Sequence, residues 1–304
     1  MTGADVQAIV GFERTVADLD RTEAFYRDGL GFVRAGAPEP VPAATLAAMG
    51  LPGARAMRLR MRLGRQAITF VAFDPPGAPY PDRPLSTDPF FQHVAMPVRD
   101  MARAAAGLAA VSPGTITEGG PQLLPASSGG VTALKLRDPD GHPLELLFFP
   151  DGEPAATWRS APGLVLGIDH SAITVTDLDA ALAFYGGCLG LALAHRGLNR
   201  GPAQAQLDGM PDPVVDVVAL APPAPTPHME LLHYRRPATL RPTPAPFGPR
   251  DRATTRFVFA VEAVADAARA IRAAGYPATA SDDGAVAYAE GPDGHGLLLV
   301  PAKQ

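Results

Sequence analysis

The sequence predicts an α+β fold made of four βαβββ modules, laid out as a two-module unit duplicated in tandem. Three observations predict it. "FERTVADLDRTEAFYRDGLGF" (12–32) and "SAITVTDLDAALAFYGGCLGL" (171–191) align without a gap, a second pair of similar segments follows each of them, and proline-rich stretches separate the four units. Repetition on this scale points to architecture more strongly than any single motif does.

Modules one and three open in alternating, β-branched residues that read as a strand. Asp18 and Asp177 then stand at helix N-cap positions, Leu178, Leu182, Phe184 and Tyr185 mark an apolar helix face, and Gly31 and Gly190 follow the last turn. The continuations "MGLPGARAMRLRMRLGRQAITFVAF" (49–73) and "DGMPDPVVDVVALAPPAPTPHMELLHY" (208–234) read as a loop and two strands. Modules two and four begin "HVAMPVRDMARAAAGL" (93–108) and "RFVFAVEAVADAARAI" (256–271), and end "LRDPDGHPLELLFFP" (136–150) and "AEGPDGHGLLLVP" (289–301). The expected division is a first half, 1–150, with modules 5–73 and 90–150, and a second, 165–304, with modules 165–234 and 254–301. Proline-rich linkers are expected at 74–89, 151–164 and 235–253.

At 304 residues the chain can bury a sizeable core. With 19% charged residues, a net charge of -5 and no basic face, no nucleic-acid partner is expected. No apolar run approaches the roughly 20 residues that span a bilayer, and the opening residues lack a basic leader, so the expectation is a cytoplasmic protein with no membrane partner. The single cysteine, Cys188, excludes an internal disulfide and a cysteine-based zinc cluster. Any metal must then be held by His, Asp or Glu.

The module order, the "DLDAALAFYGGCLGL" opening and the "DPDGHPLEL" ending resemble the vicinal oxygen chelate superfamily, which includes glyoxalase I, methylmalonyl-CoA epimerase, fosfomycin-resistance proteins and extradiol dioxygenases. The resemblance covers essentially the whole chain. It implies that modules pair into two curled, half-open β-barrels with helices outside, and that a metal inside is held by the first and last strands of both modules, usually by a His or Gln and a Glu. Carried over position by position, module two offers His93 and Glu145, and module three offers His170 and Glu230. The matching positions are Gly11 and Thr69 in module one and Arg256 and Leu298 in module four. Two complete and two empty modules favour pairing two with three and one with four, which gives one whole site. Pairing one with two and three with four stays open.

Two imidazoles and two carboxylates suit one divalent transition metal, Ni, Co, Zn, Fe or Mn, rather than calcium. On an octahedral ion they leave two adjacent positions for neighbouring oxygens of a small-molecule substrate. The expected function is a glyoxalase I-like isomerase, epimerase or lyase working through a metal-stabilised enediolate, with Glu145 and Glu230 combining ligation and catalysis as base. One alternative is an Fe(II) ring-cleaving, extradiol-type dioxygenase of a catechol or hydroquinone, using His93, His170 and Glu145 with Glu230 off the metal. Another is a metal-free drug- or metabolite-binding protein, as in bleomycin-resistance members.

His228 shares a strand face with Glu230 and is a candidate substrate-binding residue. His142 and His295 sit in "PDGH" turns and read as structural. His195 and His233 have no supporting context, Phe25, Tyr26, Phe184 and Tyr185 read as core, and Cys188 lacks a base to activate it. Arg196, Arg200, Arg235 and Arg236 read as solvated rather than as a glutathione or coenzyme A pocket. A duplicated chain can complete both barrels alone, so a monomer suffices and a homodimer remains compatible.

Overall fold

A computed structural model describes residues 3–224, 227–237 and 247–302 of the chain; the middle of the expected third linker, 238–246, lies outside them. Module one runs β1 (Val6–Thr15), α1 (Leu19–Leu30), short β2 (Val33–Arg34) and β3 (Glu39–Pro40), α2 (Ala43–Ala48), β4 (Arg55–Leu63) and β5 (Gln66–Asp74). Module two has β6 (Gln92–Pro97), α3 (Met101–Ala109), β7 (Gly114–Thr115), β8 (Gln122–Leu123), β9 (Thr132–Arg137) and β10 (Pro143–Phe148). After α4 (Glu153–Trp158), module three has β11 (His170–Thr174), α5 (Leu178–Ala181) widening into π-helical turns over Leu182–Cys188, β12 (Ala192–Arg200), α6 (Pro202–Asp208), β13 (Val214–Ala221) and β14 (His228–Arg236). Module four has β15 (Thr255–Val261), α7 (Val264–Ala273), β16 (Ala278–Ala280), β17 (Ala287–Glu290) and β18 (Gly296–Pro301).

Among the described residues these strands form two mixed sheets of nine strands, and neither closes into a barrel. One runs β16-β17-β18-β15-β1-β5-β4-β2 and holds modules four and one; the other runs β12-β13-β14-β11-β6-β10-β9-β7 and holds modules three and two. In each sheet the two modules meet through their first strands, antiparallel, at β1–β15 and β6–β11. Every central seam therefore joins the two halves of the chain.

The repeated helix signature has a direct physical basis. Asp18 accepts a hydrogen bond from the Arg21 N–H at 2.9 Å, and Asp177 accepts one from Ala180 at 3.0 Å, each satisfying a donor that the first helical turn leaves free. Gly31 and Gly190 take φ of 75° and 79°, the left-handed conformation that stops the helix without a Cβ clash. Asp18→Ala is expected to cost about 1 kcal/mol, read as a lower midpoint in denaturant with an unchanged slope.

Strand alternation sorts the side chains. Val94, Met96, Leu144, Leu146, Ile173, Met229 and Leu231 enter one apolar core shared with Phe12, Phe70 and Phe257 of the other sheet. Their odd-numbered or even-numbered neighbours, His93, Glu145, His170 and Glu230, must face the opposite, concave side. The "PDGH" histidines tie the sheets together: His142 Nε2 lies 2.8 Å from the Thr15 carbonyl, and His295 Nε2 lies 3.1 Å from that of Thr174. The four helix aromatics are core, with Tyr26 also donating to Asp138 at 2.9 Å. Among the described residues no helix is long and apolar enough to cross a membrane.

Candidate metal centre

The four candidate side chains converge at the β6–β11 seam, and the register explains how. Ala172 on β11 pairs with His93 on one side and Glu230 on the other; Ala95 on β6 pairs with His170 and Glu145. Two histidines and two glutamates thus surround a floor made of two methyl groups, both fully buried. Larger residues at either alanine would fill the space between them.

The ring nitrogens His93 Nε2 and His170 Nε2 are 3.4 Å apart, and Glu145 Oε2 lies 3.0 Å from the first and 3.8 Å from the second. Glu230 Oε2 reaches His170 Nε2 at 3.3 Å. An octahedral ion with bonds of about 2.1 Å spaces its adjacent ligands by about 3.0 Å and its opposite ligands by about 4.2 Å, so these separations match a ligand shell. His93, Glu145 and His170 have ligand atoms all within 4.8 Å of one another; Glu230 is outside that mutual set and touches it through His170. A second group of three, Asp169, His170 and His228, adjoins the first through the other nitrogen of His170.

The electrostatics show a place that calls for positive charge. Burial raises the Glu145 carboxyl, but His93, Lys135 and His170 outweigh that and hold it at about 2; Glu230 is likewise buried and is held at about 2 chiefly by His170 and His228. Burial pulls His170 down, yet Glu230, Asp169 and Glu145 together raise it to about 9. His93, with burial dominant, is pushed below its ordinary value. A proton on His170 thus offsets part of the negative charge of the two glutamates and Asp169.

Behind the histidines the support is uneven. Asp169 Oδ2 accepts from His170 Nδ1 at 2.9 Å, which aims Nε2 at the centre, and Trp158 Nε1 donates to Asp169 Oδ1 at 3.3 Å. Trp158 belongs to α4, so the expected linker at 151–164 contains a helix whose buried indole braces the site. His93 Nδ1 has no such partner among the described residues. His228 sits beside the centre, with Nε2 3.6 Å from Glu230 Oε1 and Nδ1 3.9 Å from Asp169 Oδ2.

The four side chains open into a cavity of about 550 Å³ with walls that include Leu124, Leu147, Phe149, Val215 and Leu232. Volume and lining are those of a small-molecule pocket. His228 lines it, and so does His195. His233, Arg196 and Arg235 lie elsewhere, gathered on Asp216 at 3.3, 3.8 and 2.6 Å. Asp169, Lys135, Asp208 and Gln204, which sequence reasoning did not single out, are also in the cavity wall or buried beside it. Asp169 was the one with a signal, since it directly precedes His170.

The other sheet repeats the same register with different contents. Glu13 pairs with Arg256 and Thr69 where Ala172 pairs with His93 and Glu230, and Val258 pairs with Gly11 and Leu298 where Ala95 pairs with His170 and Glu145. Arg256, fully buried, donates to Glu13 Oε1 at 3.0 Å and to Thr15 Oγ1 at 2.8 Å. Met49, Val286, Tyr288 and Leu298 pack close by. An internal ion pair and apolar filling occupy the concave side here.

Paired βαβββ modules that gather histidines and carboxylates at their seam define a vicinal oxygen chelate chain. The family model of the Glyoxalase/Bleomycin resistance protein/Dioxygenase superfamily matches residues 8–146 and 167–299, and the chain belongs to that superfamily. Among solved structures, glyoxalase I from Zea mays is similar at 18% identity, with a TM-score of 0.63 over 97% of this chain and 92% of that one. A candidate dioxygenase from Bacillus subtilis is similar at 15% identity, with a TM-score of 0.61 over 99% of this chain and 86% of that one. At such identities the likeness is one of fold. No curated protein sequence matches the chain.

Proposed function

We propose that this protein is a metal-dependent enzyme that isomerises or eliminates from a small substrate with two adjacent oxygens, holding one divalent ion with His93, Glu145, His170 and Glu230. The observation that carries the reading is the convergence of these four side chains over Ala95 and Ala172 at ligand-shell separations. A bound transition metal would supply a Lewis acid for the negative charge that develops when a proton leaves a carbon next to a carbonyl. Glu145, the more buried carboxylate, fixes the site. Glu230, touching His170 and His228, is freer to turn and take the proton as general base.

Two measurements test this. Protein loaded with Co(II) or Ni(II) is expected to exchange deuterium from solvent into the carbon next to the carbonyl of small hydroxy-ketones, and Glu230→Gln to stop it even at saturating metal. Glu230→Gln is expected to weaken the metal by at least about 100-fold, since losing a ligand exceeds the 10- to 100-fold loss typical of an outer partner.

A second reading, an Fe(II) ring-cleaving dioxygenase, has a specific observation in its favour: Glu230 stands outside the mutual set of three, which leaves two histidines and one carboxylate. Anaerobic iron loading followed by oxygen with catechol or hydroquinone separates the two. Rapid oxygen uptake, with metal retained in Glu230→Gln, would replace the isomerase by the dioxygenase.

A further inference from the structure

The cavity has a second polar end, away from the four candidate ligands. Lys135 on β9 is the cross-strand partner of Glu145, one strand farther from the seam, and Tyr234 lies four residues beyond Glu230 on the same face of β14, a distance of about 13 Å along a strand. Between them α6 inserts Asp208. Its carboxylate accepts from Lys135 Nζ at 2.7 Å, from Gln204 Nε2 at 2.7 Å and from the Tyr234 hydroxyl at 3.1 Å. The buried Phe91 ring lies 5.9 Å from Lys135 Nζ and 5.8 Å from the His93 ring.

Holding a loop down does not account for everything in this cluster. Because a carboxylate only accepts, the bond to Asp208 fixes the Gln204 amide with Nε2 toward it, and Oε1 is left over. That oxygen has no partner among the described residues although Gln204 is 3% exposed and lines the cavity. Buried acceptors are nearly always satisfied, so an orphan in a cavity wall points to a group that arrives with a ligand. Lys135 lines the same cavity, and Asp208 is its one hydrogen-bond acceptor among the described residues, which leaves N–H groups to donate.

We propose that Lys135 and Gln204 form a specificity subsite for a hydroxyl on the substrate, which accepts from the lysine ammonium and donates to Gln204 Oε1. The substrate is then a compact, ring-sized apolar body with adjacent oxygens at one end and a third oxygen at the other. Asp208 and Tyr234 position the two contacting groups. The inference rests on the metal reading above, because the adjacent oxygens are what anchor the first end.

The test uses the whole protein loaded with Co(II) and three chelators: benzohydroxamic acid and its 3-hydroxy and 4-hydroxy derivatives, followed through the visible cobalt spectrum. Lys135→Ala would strand Asp208 in the interior, so the variant is Gln204→Leu, which keeps the ion pair and the volume. One hydroxy derivative is expected to bind about 10-fold more tightly than the parent. In Gln204→Leu the parent is expected to bind as before and that gain to vanish. If cobalt is held and the parent binds but neither hydroxyl helps, or if the gain persists in Gln204→Leu, the subsite is overturned and the metal reading stands. If the protein takes up no cobalt, the metal reading falls and the subsite with it.

Discussion

His93→Ala and His170→Ala are each expected to reduce bound divalent metal from one equivalent to near zero, with at least about a 100-fold loss of affinity, and to do so equally. The two residues are more than a module apart in sequence, but their Nε2 atoms are 3.4 Å apart across the β6–β11 seam. Either loss leaves the carboxylates with one imidazole between them. Elemental analysis of the purified wild type and both variants, with competitive cobalt titration, measures it. Full metal in both variants would dismiss the shared centre, and loss in one alone would dismiss the symmetric role. Asp169→Asn is a graded version: it keeps every ligand but weakens the carboxylate that aims His170, so a 10- to 100-fold loss is expected.

In the other sheet, Glu13→Ala is expected to cost about 3–5 kcal/mol of folding stability, because it leaves the guanidinium of Arg256 buried with no carboxylate. Burial raises the Glu13 carboxyl, with Arg256 and Arg58 pulling it back down, so the isolated charge is a cost that its partner offsets. Arg256→Met should cost a similar amount from the opposite side. The double variant Glu13→Leu/Arg256→Met is expected to unfold within about 1 kcal/mol of the wild type, since apolar residues of similar size can replace a buried pair. Equilibrium denaturation of the four proteins closes the cycle. A cost below about 1 kcal/mol for Glu13→Ala would mean that Thr15 and the Pro249 carbonyl suffice for Arg256. None of the four should differ in metal binding, because this pair sits in the sheet without ligands.

Much of this was legible in the chain. Caps and stop glycines recur at fixed positions because helix ends make local demands, so modules one and three could be matched from Asp18, Asp177, Gly31 and Gly190, and modules two and four from their similar openings and their "PDGH" endings. The resemblance to the vicinal oxygen chelate superfamily then singled out His93, Glu145, His170 and Glu230 as candidate ligands, and strand alternation added His228 beside Glu230. The short helices α2, α4 and α6 were not legible: "PAQAQLD" and its neighbours carry little apolar periodicity, and their conformation comes from what they pack on. Nor was the second polar end of the cavity. Lys135 sits in an ordinary "LKLR" strand and Asp208 in a turn-like "LDGMPD"; only the register of β9 against β10 and the placement of α6 bring them to 2.7 Å. Glu13 was missed for the same reason, since its partner is 243 residues away in the chain.

The two central seams have a consequence for how the molecule comes into being. On the ribosome the first half emerges with β1 and β6 each lacking a neighbour along one edge, because the strands that pair there, β15 and β11, are synthesised later. That half has no finished sheet of its own, and its His93 and Glu145 meet no second histidine until β11 arrives. Convergence of the four candidate ligands therefore waits on the β6–β11 ladder and on β14, and the β1–β15 ladder closes later still. A nick in the connection between residues 150 and 165 would leave two fragments that still need each other, held as one body by both ladders.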